Sequence, residues 1–134
     1  MIVLDTSFVV AYHNQRDAHH AAAVKAFHRL EKGEWGEILL PEYIFLEIMT
    51  VLAARRDLTI AVAVGEILLG AREIELVACS SCFLDAYQVF REQGRARLSF
   101  ADAATMAIAR TRGAEYVATF DRDFRGIPDL KVVP

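Results

Sequence analysis

Four acidic residues of this chain stand where an ordinary solvated surface would not place them: Asp5, Glu47, Asp102 and Asp121. Carboxylates that meet in a partly buried cleft repel one another, and each then holds its proton more tightly. A hard divalent cation relieves this repulsion, because Mg²⁺ and Mn²⁺ prefer oxygen ligands and keep water molecules for a substrate. The chemistry that suits such a site is phosphodiester hydrolysis, in which the metal activates water and neutralises the scissile phosphate.

The surroundings of Asp5 and Glu47 allow more than one interpretation. Asp5 ends an apolar run and precedes a helical pattern, so a helix N-cap is an equally good explanation of that residue. Glu47 lies in an apolar helix, and a glutamate that extends between apolar groups is the alternative to a functional role. An α-helix turns by about 100° per residue, and on this basis we find no other charged residue on the helix face that carries Glu47. The neighbours on that face are Tyr43, Ile44, Thr50, Val51 and Ala54.

Asp102 and Asp121 also have local explanations. Asp102 lies in a helix whose residues are small or apolar all round, which predicts burial, and Ser99 stands at the spacing of a capping box. Asp121 and Asp123 follow the fourth strand, where a turn alone would explain both. The argument for a site therefore depends on where the fold places these residues.

Short apolar segments alternate with helical patterns along the whole chain, which predicts an α/β fold with a mostly parallel sheet. We expect strands at 1–5, 37–40, 74–78, 116–119 and 131–133, with helices at 6–14, 17–33, 41–56, 59–70, 80–94 and 99–113. Asp17 and Thr59 are the expected N-caps of two of these helices. The breaks between elements are too short to be linkers, so we expect one domain over residues 1–134.

Chain topology brings the four acids together. In right-handed β-α-β units each helix begins at the carboxyl edge of the sheet, and parallel sheets build their sites at that edge. Each of the four acids follows a strand directly or lies in the first turns of a helix at that edge. The sequence contains no Gly-x-Ser-x-Gly elbow and no P-loop that would supply a different chemistry.

Composition excludes several classes of protein. Of the 134 residues 54% are hydrophobic and 25% charged, which excludes a disordered chain. The net charge of -3 argues against a non-specific duplex binder. No apolar run approaches the roughly 20 residues of a membrane span. We see no export signal and only two cysteines, so we expect a cytoplasmic protein with no membrane partner.

Four segments together carry a family resemblance: Val3–Ser7, Pro41–Glu47, Leu98–Ala103 and Ala118–Phe124. The chain resembles PIN-domain ribonucleases over essentially its whole length, and most of all the VapC-like toxins of type II toxin–antitoxin systems. The resemblance implies a PIN-like three-layer fold, with a central sheet of four to five short strands flanked by helices. It also implies an Mg²⁺- or Mn²⁺-dependent endoribonuclease, a homodimer, an RNA substrate and a cognate antitoxin.

The same resemblance assigns roles by position. Asp5, Glu47, Asp102 and Asp121 match the family's acidic site, with Asp5 and Asp102 as the most direct metal ligands. Supporting roles fall to Thr6, Ser7, Thr119 and Asp123, of which the three hydroxyl residues would hold carboxylates or water.

Arginines are concentrated near the C-terminal half of the proposed site. Seven lie between residues 91 and 125, and Arg95, Arg97, Arg122 and Arg125 are the candidates for contact with RNA phosphates. The alternative is that these side chains only solvate helix ends.

Two other functions remain open at this point. The same site would serve an RNA-processing or DNA nuclease with no toxin role, and the fold alone would serve a non-catalytic interaction module. A phosphohydrolase with an aspartyl nucleophile is less well supported, because Ser7 stands where a second acid would be needed. Cys79 and Cys82 have redox-motif spacing, but ordinary buried thiols are the expected state.

Overall fold

The computed structural model describes residues 1–94 and 97–134. Within these residues five short strands alternate with six α-helices. They are β1 (Ile2–Leu4), α1 (Thr6–His13), α2 (His20–Glu31), β2 (Ile38–Pro41), α3 (Glu42–Arg55), α4 (Leu58–Gly70), β3 (Ile74–Val77), α5 (Phe83–Glu92), α6 (Phe100–Arg112), β4 (Tyr116–Ala118) and β5 (Lys131–Val133). Single 3-10 turns at Ser80–Cys82 and Arg122–Phe124 precede α5 and follow β4.

All five strands are parallel and form one sheet in the order β3-β2-β1-β4-β5. The chain first adds β2 and β3 on one side of β1, then returns to add β4 and β5 on the other side. Strand order therefore reverses between β1 and β4, and a crevice forms outside the carboxyl ends of strands at such a point. Leu4 and Ala118 are register partners there, so the residues that follow them are neighbours.

Successive side chains of β1 point to opposite faces of the sheet and belong to two different hydrophobic layers. Ile2 and Leu4 pack against residues of α1, α2, α3 and α4, whereas Val3 packs against α6 and the cysteines before α5. Because both sheet faces are covered by helices, the central strand β1 is apolar and buried on both sides. The predicted α/β three-layer fold with a parallel sheet is confirmed. None of the described helices combines the length and hydrophobicity needed to span a bilayer.

Two predicted helix N-caps, Asp17 and Thr59, were wrong, and local hydrogen bonding explains both. Helix α4 begins at Leu58 rather than at Thr59, because the Asp57 side chain caps it by accepting from the Ile60 amide at 2.8 Å. Helix α2 begins at His20 rather than at Asp17. The Asp17 carboxylate accepts from the His19 amide at 2.8 Å and so forms a turn ahead of the helix.

Helix α6 is defined sharply at both ends. Ser99 and Asp102 form a reciprocal capping box at its start, and Gly113 adopts a left-handed conformation with φ of 70° at its end. Every residue from 102 to 109 is buried, so this helix is the core element of its layer. Its first turn lies at the carboxyl edge of the sheet and brings Asp102 there.

Candidate active site

The Asp5 carboxylate is the centre of a hydroxyl network between β1 and β4. Its Oδ2 atom accepts from Ser7 Oγ at 2.6 Å, from Thr119 Oγ1 at 2.7 Å and from the Ser7 amide at 3.2 Å. Asp5 is only 3% exposed, so three donors offset much of the cost of burying its charge. Asp5 is also the N-cap of α1, which means that the capping role and a site role coexist in one residue.

The same hydroxyls fix the segment after β4. Ser7 Oγ accepts from the Phe120 amide at 2.9 Å and lies 3.0 Å from Thr119 Oγ1, which in turn accepts from the Asp121 amide at 2.9 Å. Residues 119–121 are therefore tied to the start of α1 by side-chain hydrogen bonds. These bonds hold Asp5 and Asp121 beside each other although they are far apart along the chain.

Glu47 lies on α3, on the side of the helix that faces the other acids. It is half-buried, and its Oε2 atom accepts from Thr6 Oγ1 at 2.7 Å. This neutral partner holds the carboxylate in place without neutralising it. Thr6, Ser7 and Thr119 thus all contact carboxylates of the predicted set.

Asp102 is the carboxylate that its surroundings perturb most clearly. It is 8% exposed, and its Oδ2 atom accepts from the Ser99 amide at 2.7 Å. The pKa of Asp102 is raised to about 6, mainly by burial and further by the nearby charges of Asp5 and Asp121, while the Ser99 hydrogen bonds oppose the change. The charges of Asp5 and Asp121 therefore act on Asp102, which places three of the predicted acids within electrostatic reach of one another.

Asp121 and Asp123 differ in position. The Asp121 side chain caps the 3-10 turn by accepting from the Asp123 amide at 2.9 Å, and Asp121 is half-buried. Asp123 is exposed and does not line the cleft described next. The two residues therefore share one turn, but only Asp121 lines the cleft.

All four main acids line one cleft of about 320 Å³. Its walls come from the ends of β1 and β4 and from α1, α3 and α6. The lining residues are Asp5, Thr6, Ser7, Val10, Asp17, His19, Glu47, Val51, Arg55, Ser99, Asp102, Phe120 and Asp121. A larger cleft of about 520 Å³ lies between α5 and α6 and contains none of the predicted acids.

The four acids share one feature of hydrogen bonding. Each has one carboxylate oxygen that accepts from the protein, and within the described part of the chain the second oxygen receives no donor. These second oxygens are Asp5 Oδ1, Glu47 Oε1, Asp102 Oδ1 and Asp121 Oδ2. A set of anchored carboxylates with unused oxygens fits a hard cation such as Mg²⁺ or Mn²⁺.

The carboxylates do not form a closed cage. Among residues 1–94 and 97–134, no three acidic, histidine or cysteine side chains are close enough to surround a metal ion by themselves. This openness suits Mg²⁺, which is commonly bound through one or two carboxylates and completes its coordination with water and phosphate oxygens. The fit to the implied cation depends on the unused carboxylate oxygens of the four acids that line one cleft.

Sequence reasoning missed several residues of this cleft. The interpretation that no other charge shares the helix face of Glu47 was wrong, because Arg55 lies two helical turns further along α3 and lines the same cleft. The spacing of eight residues was the available signal. Asp17 and His19 reach the cleft from the turn before α2, and Phe120 reaches it from the network after β4.

The predicted RNA-binding arginines lie elsewhere. Arg97, Arg122 and Arg125 are exposed, and none of them lines the cleft, while Arg95 lies outside the described residues. Their role in RNA binding stays a prediction. Arg55 is the cationic side chain that the described part of the chain places in the cleft itself.

The two cysteines are buried and free, in the state expected from sequence. Burial raises the pKa of both thiols, which disfavours the reactive thiolate. Cys79 and Cys82 pack beneath α6 in the hydrophobic layer and do not line the cleft.

The family model of the PIN domain matches residues 2–130 of this chain. The chain belongs to the PIN-domain family. No curated protein sequence shows significant similarity to it. The family match confirms the resemblance drawn from the four sequence segments, and it covers every residue of the acidic cleft.

Solved structures share this PIN fold. The crystal structure of Mycobacterium tuberculosis VapC20, a toxin that cleaves the sarcin–ricin loop, superposes with a TM-score of 0.86 at 27% identity and covers 100% of both chains. The VapBC2 structure from Rickettsia felis, bound to a promoter DNA fragment, has a TM-score of 0.71 at 16% identity and covers 100% of both chains. A toxin–antitoxin complex from Klebsiella pneumoniae has a TM-score of 0.68 at 16% identity, covering 98% of this chain and 96% of its own.

The hydroxyl network of this PIN domain gives a first prediction. Ser7→Ala removes the bonds from Ser7 Oγ to Asp5 and from the Phe120 amide to Ser7. We expect a loss of about 1–3 kcal/mol in the free energy of unfolding, because buried polar groups lose their partners. Since Asp5 is the expected metal ligand, RNA cleavage should fall about 10- to 100-fold, the usual cost of losing a group that orients such a ligand.

Ser81→Ala is the matched control, because Ser81 is exposed and its hydroxyl bonds only the Ala78 carbonyl of its own turn. Urea denaturation and initial cleavage rates measure both effects. Equal stability and equal rates for the two variants would contradict the proposed importance of the network.

Proposed function

We propose that this PIN domain is an Mg²⁺- or Mn²⁺-dependent endoribonuclease that acts as the toxin of a type II toxin–antitoxin system. The observation that carries the proposal is the convergence of Asp5, Glu47, Asp102 and Asp121 on one cleft, each with one anchored and one unused oxygen. A structural role alone would not gather mutually repelling carboxylates in a cleft.

In this proposal Asp5 and Asp102 are the principal metal ligands, and Glu47 and Asp121 complete the acidic wall. When bound, the metal would activate a water molecule and neutralise the scissile phosphate. The protein's own part is to hold the carboxylates still. Ser7 and Thr119 fix Asp5, Ser99 fixes Asp102, and Thr6 fixes Glu47, so that little reorganisation is needed when substrate binds.

The similarity to VapC20 supports the choice of RNA as substrate and of a toxin role, because the two chains align over their full lengths. The Klebsiella pneumoniae and Rickettsia felis structures come from toxin–antitoxin assemblies with the same fold. We therefore include a cognate antitoxin in the proposal. The proposal also includes the homodimer that the family resemblance implies and the cytoplasmic location expected from the sequence. We also propose that residues 1–134 work as one domain.

The direct test is RNA cleavage by the purified protein. Total bacterial RNA is incubated with the protein in Mn²⁺ or in EDTA, and the new ends are mapped by sequencing. We expect discrete cuts with Mn²⁺ and none with EDTA. Cleavage that persists in EDTA would contradict the metal dependence, and intact RNA in Mn²⁺ would contradict the nuclease.

Induced expression in a bacterial host tests the toxin role separately. We expect growth arrest with the wild-type chain and growth with the Glu47→Gln variant. Unimpaired growth with the wild-type chain, alongside cleavage in vitro, would favour an RNA-processing nuclease instead.

Metal binding should also stabilise the fold, because the cation binds the assembled carboxylates and not the unfolded chain. At a Mn²⁺ concentration 100 times the Kd, the gain is about 2.7 kcal/mol. For a domain of this size such a gain corresponds to a rise of several degrees in Tm. Thermal melts across a Mn²⁺ series measure it, and a Tm that stays constant into the millimolar range would count against the site.

A further inference from the structure

An aromatic stack leads from the core to the rim of the acidic cleft. Phe8 is buried in the core, and the Phe120 ring lies parallel to it, with centroids 6.2 Å apart and an interplanar angle of 23°. On the cleft side, His19 stacks on Phe120 with centroids 4.4 Å apart and planes within 10° of parallel. Phe120 and His19 both line the cleft, so the stack ends beside the carboxylates.

The position of Phe120 is fixed by the active-site network itself. Its amide donates to Ser7 Oγ at 2.9 Å, and it stands between Thr119 and Asp121, whose own positions depend on Asp5. The hydrogen bond fixes the backbone of Phe120, and its ring packs between those of Phe8 and His19 beside the carboxylates. It is therefore a suitable base for a group that must position substrate at the site.

His19 is exposed, and stacking rather than hydrogen bonding holds its ring. Its amide donates to Asp17 Oδ1, but within the described residues its ring nitrogens make no hydrogen bond. Within the same residues no second aromatic ring covers the other face of the imidazole. Because His19 is exposed and lines the cleft, its imidazole offers a flat aromatic surface there.

Electrostatics explain why such a face would be needed. Among the described residues, five carboxylates and one guanidinium, that of Arg55, line the cleft, so without a bound cation the cleft repels the phosphates of a nucleic acid. Stacking of a base on an aromatic ring needs no charge, and RNA is commonly recognised through unstacked bases on aromatic side chains, including histidine. An aromatic platform beside the carboxylates offers affinity that does not depend on the charge of the cleft.

We propose that the open face of His19, supported by Phe120, is the platform on which a nucleobase of single-stranded RNA stacks next to the cleaved phosphate. This inference rests on the proposed ribonuclease function and specifies its substrate subsite. His19 acts as a positioning residue and takes no part in proton transfer. Arg55, at the same cleft, is placed to contact an adjoining phosphate.

Two variants separate stacking from packing. His19→Leu keeps an apolar cover over Phe120 but has no aromatic face, whereas His19→Phe keeps the aromatic face and loses the imidazole nitrogens. His28→Ala is the control, because His28 is an exposed histidine of α2 that pairs with Glu31 and does not line the cleft. Melting temperatures of all variants establish that each is folded.

The probe is a short single-stranded RNA that carries 2-aminopurine, whose fluorescence falls when it stacks. In Mn²⁺, stopped-flow mixing records the fluorescence, and cleavage of the same RNA gives kcat and KM. We expect His19→Leu to lose the rapid fluorescence decrease and to raise KM about 10-fold, with kcat nearly unchanged. His19→Phe and His28→Ala should behave like the wild-type protein.

The possible outcomes separate the failure of the His19 platform from the failure of the proposed ribonuclease function. An unchanged KM and an unchanged fluorescence decrease in His19→Leu would overturn the platform and leave the nuclease standing. Failure of His19→Phe to restore either signal would also overturn it, because the aromatic face would then not be what matters. A wild-type protein that cleaves no RNA would remove the proposed function, and the fluorescence arm would still report whether a base stacks on His19.

Discussion

Asp102→Asn is expected to lower the rate of RNA cleavage by at least about 100-fold, a loss larger than that typical of a residue that only supports a metal ligand. The substitution removes the charge of Asp102 but keeps an oxygen that can accept from the Ser99 amide. The capping box and the burial of the side chain can therefore survive. A cooperative thermal melt of the variant will show that the fold is retained, and the loss is then assigned to the metal site. Initial rates in saturating Mn²⁺ measure it.

Asp85→Asn is the matched control for this experiment. Asp85 lies in the first turn of α5, is exposed and does not line the acidic cleft. We expect its cleavage rate to equal that of the wild-type protein. Retained activity in Asp102→Asn would contradict the site, and so would a comparable loss in Asp85→Asn.

The second large effect concerns stability and pH in the absence of metal. Burial and the charges of Asp5 and Asp121 raise the pKa of Asp102 from 3.8 to about 6. The folded protein therefore binds more protons than the unfolded chain between these two values. The stabilisation due to protonated Asp102 is complete below pH 4 and is lost as the pH rises through 6. The expected difference is on the order of 3 kcal/mol in the free energy of unfolding.

Urea denaturation in EDTA at pH 5 and at pH 7.5 measures this dependence. We expect Asp102→Asn to show a smaller loss of stability over this range than the wild-type protein, and to be the more stable of the two at pH 7.5. Adding Mn²⁺ at pH 7.5 should stabilise the wild-type protein more than the variant. Parallel pH profiles for the two proteins would show that Asp102 is not held in the environment described here.

Much of the fold and the main acids could be predicted from sequence, because the order of strands and helices decides the edge at which a residue emerges. Asp5 follows β1, and Asp102 begins α6, so a parallel sheet places both at its carboxyl edge. The structure brings Glu47 and Asp121 to the same cleft. Their catalytic and metal-binding roles stay predictions.

Other features depend on contacts between distant segments, which local patterns do not contain. The stack of His19 on Phe120 joins the turn before α2 to the loop after β4, and neither segment indicates the other. Arg55 was missed because a charge near the end of a helix is usually solvated. Asp57 displaced Thr59 as a helix cap because both residue types are good caps and only backbone geometry selects between them.

Anchored carboxylates from distant parts of the chain are proposed to bind a hard divalent cation in the cleft. The most direct measurement is an anomalous difference map from crystals of the protein soaked in Mn²⁺. We expect a peak in the cleft between the unused oxygens of Asp5 and Asp102, and no peak there in crystals of Asp102→Asn. An empty cleft in the wild-type crystals at millimolar Mn²⁺, or a peak only at another site, would contradict the claim.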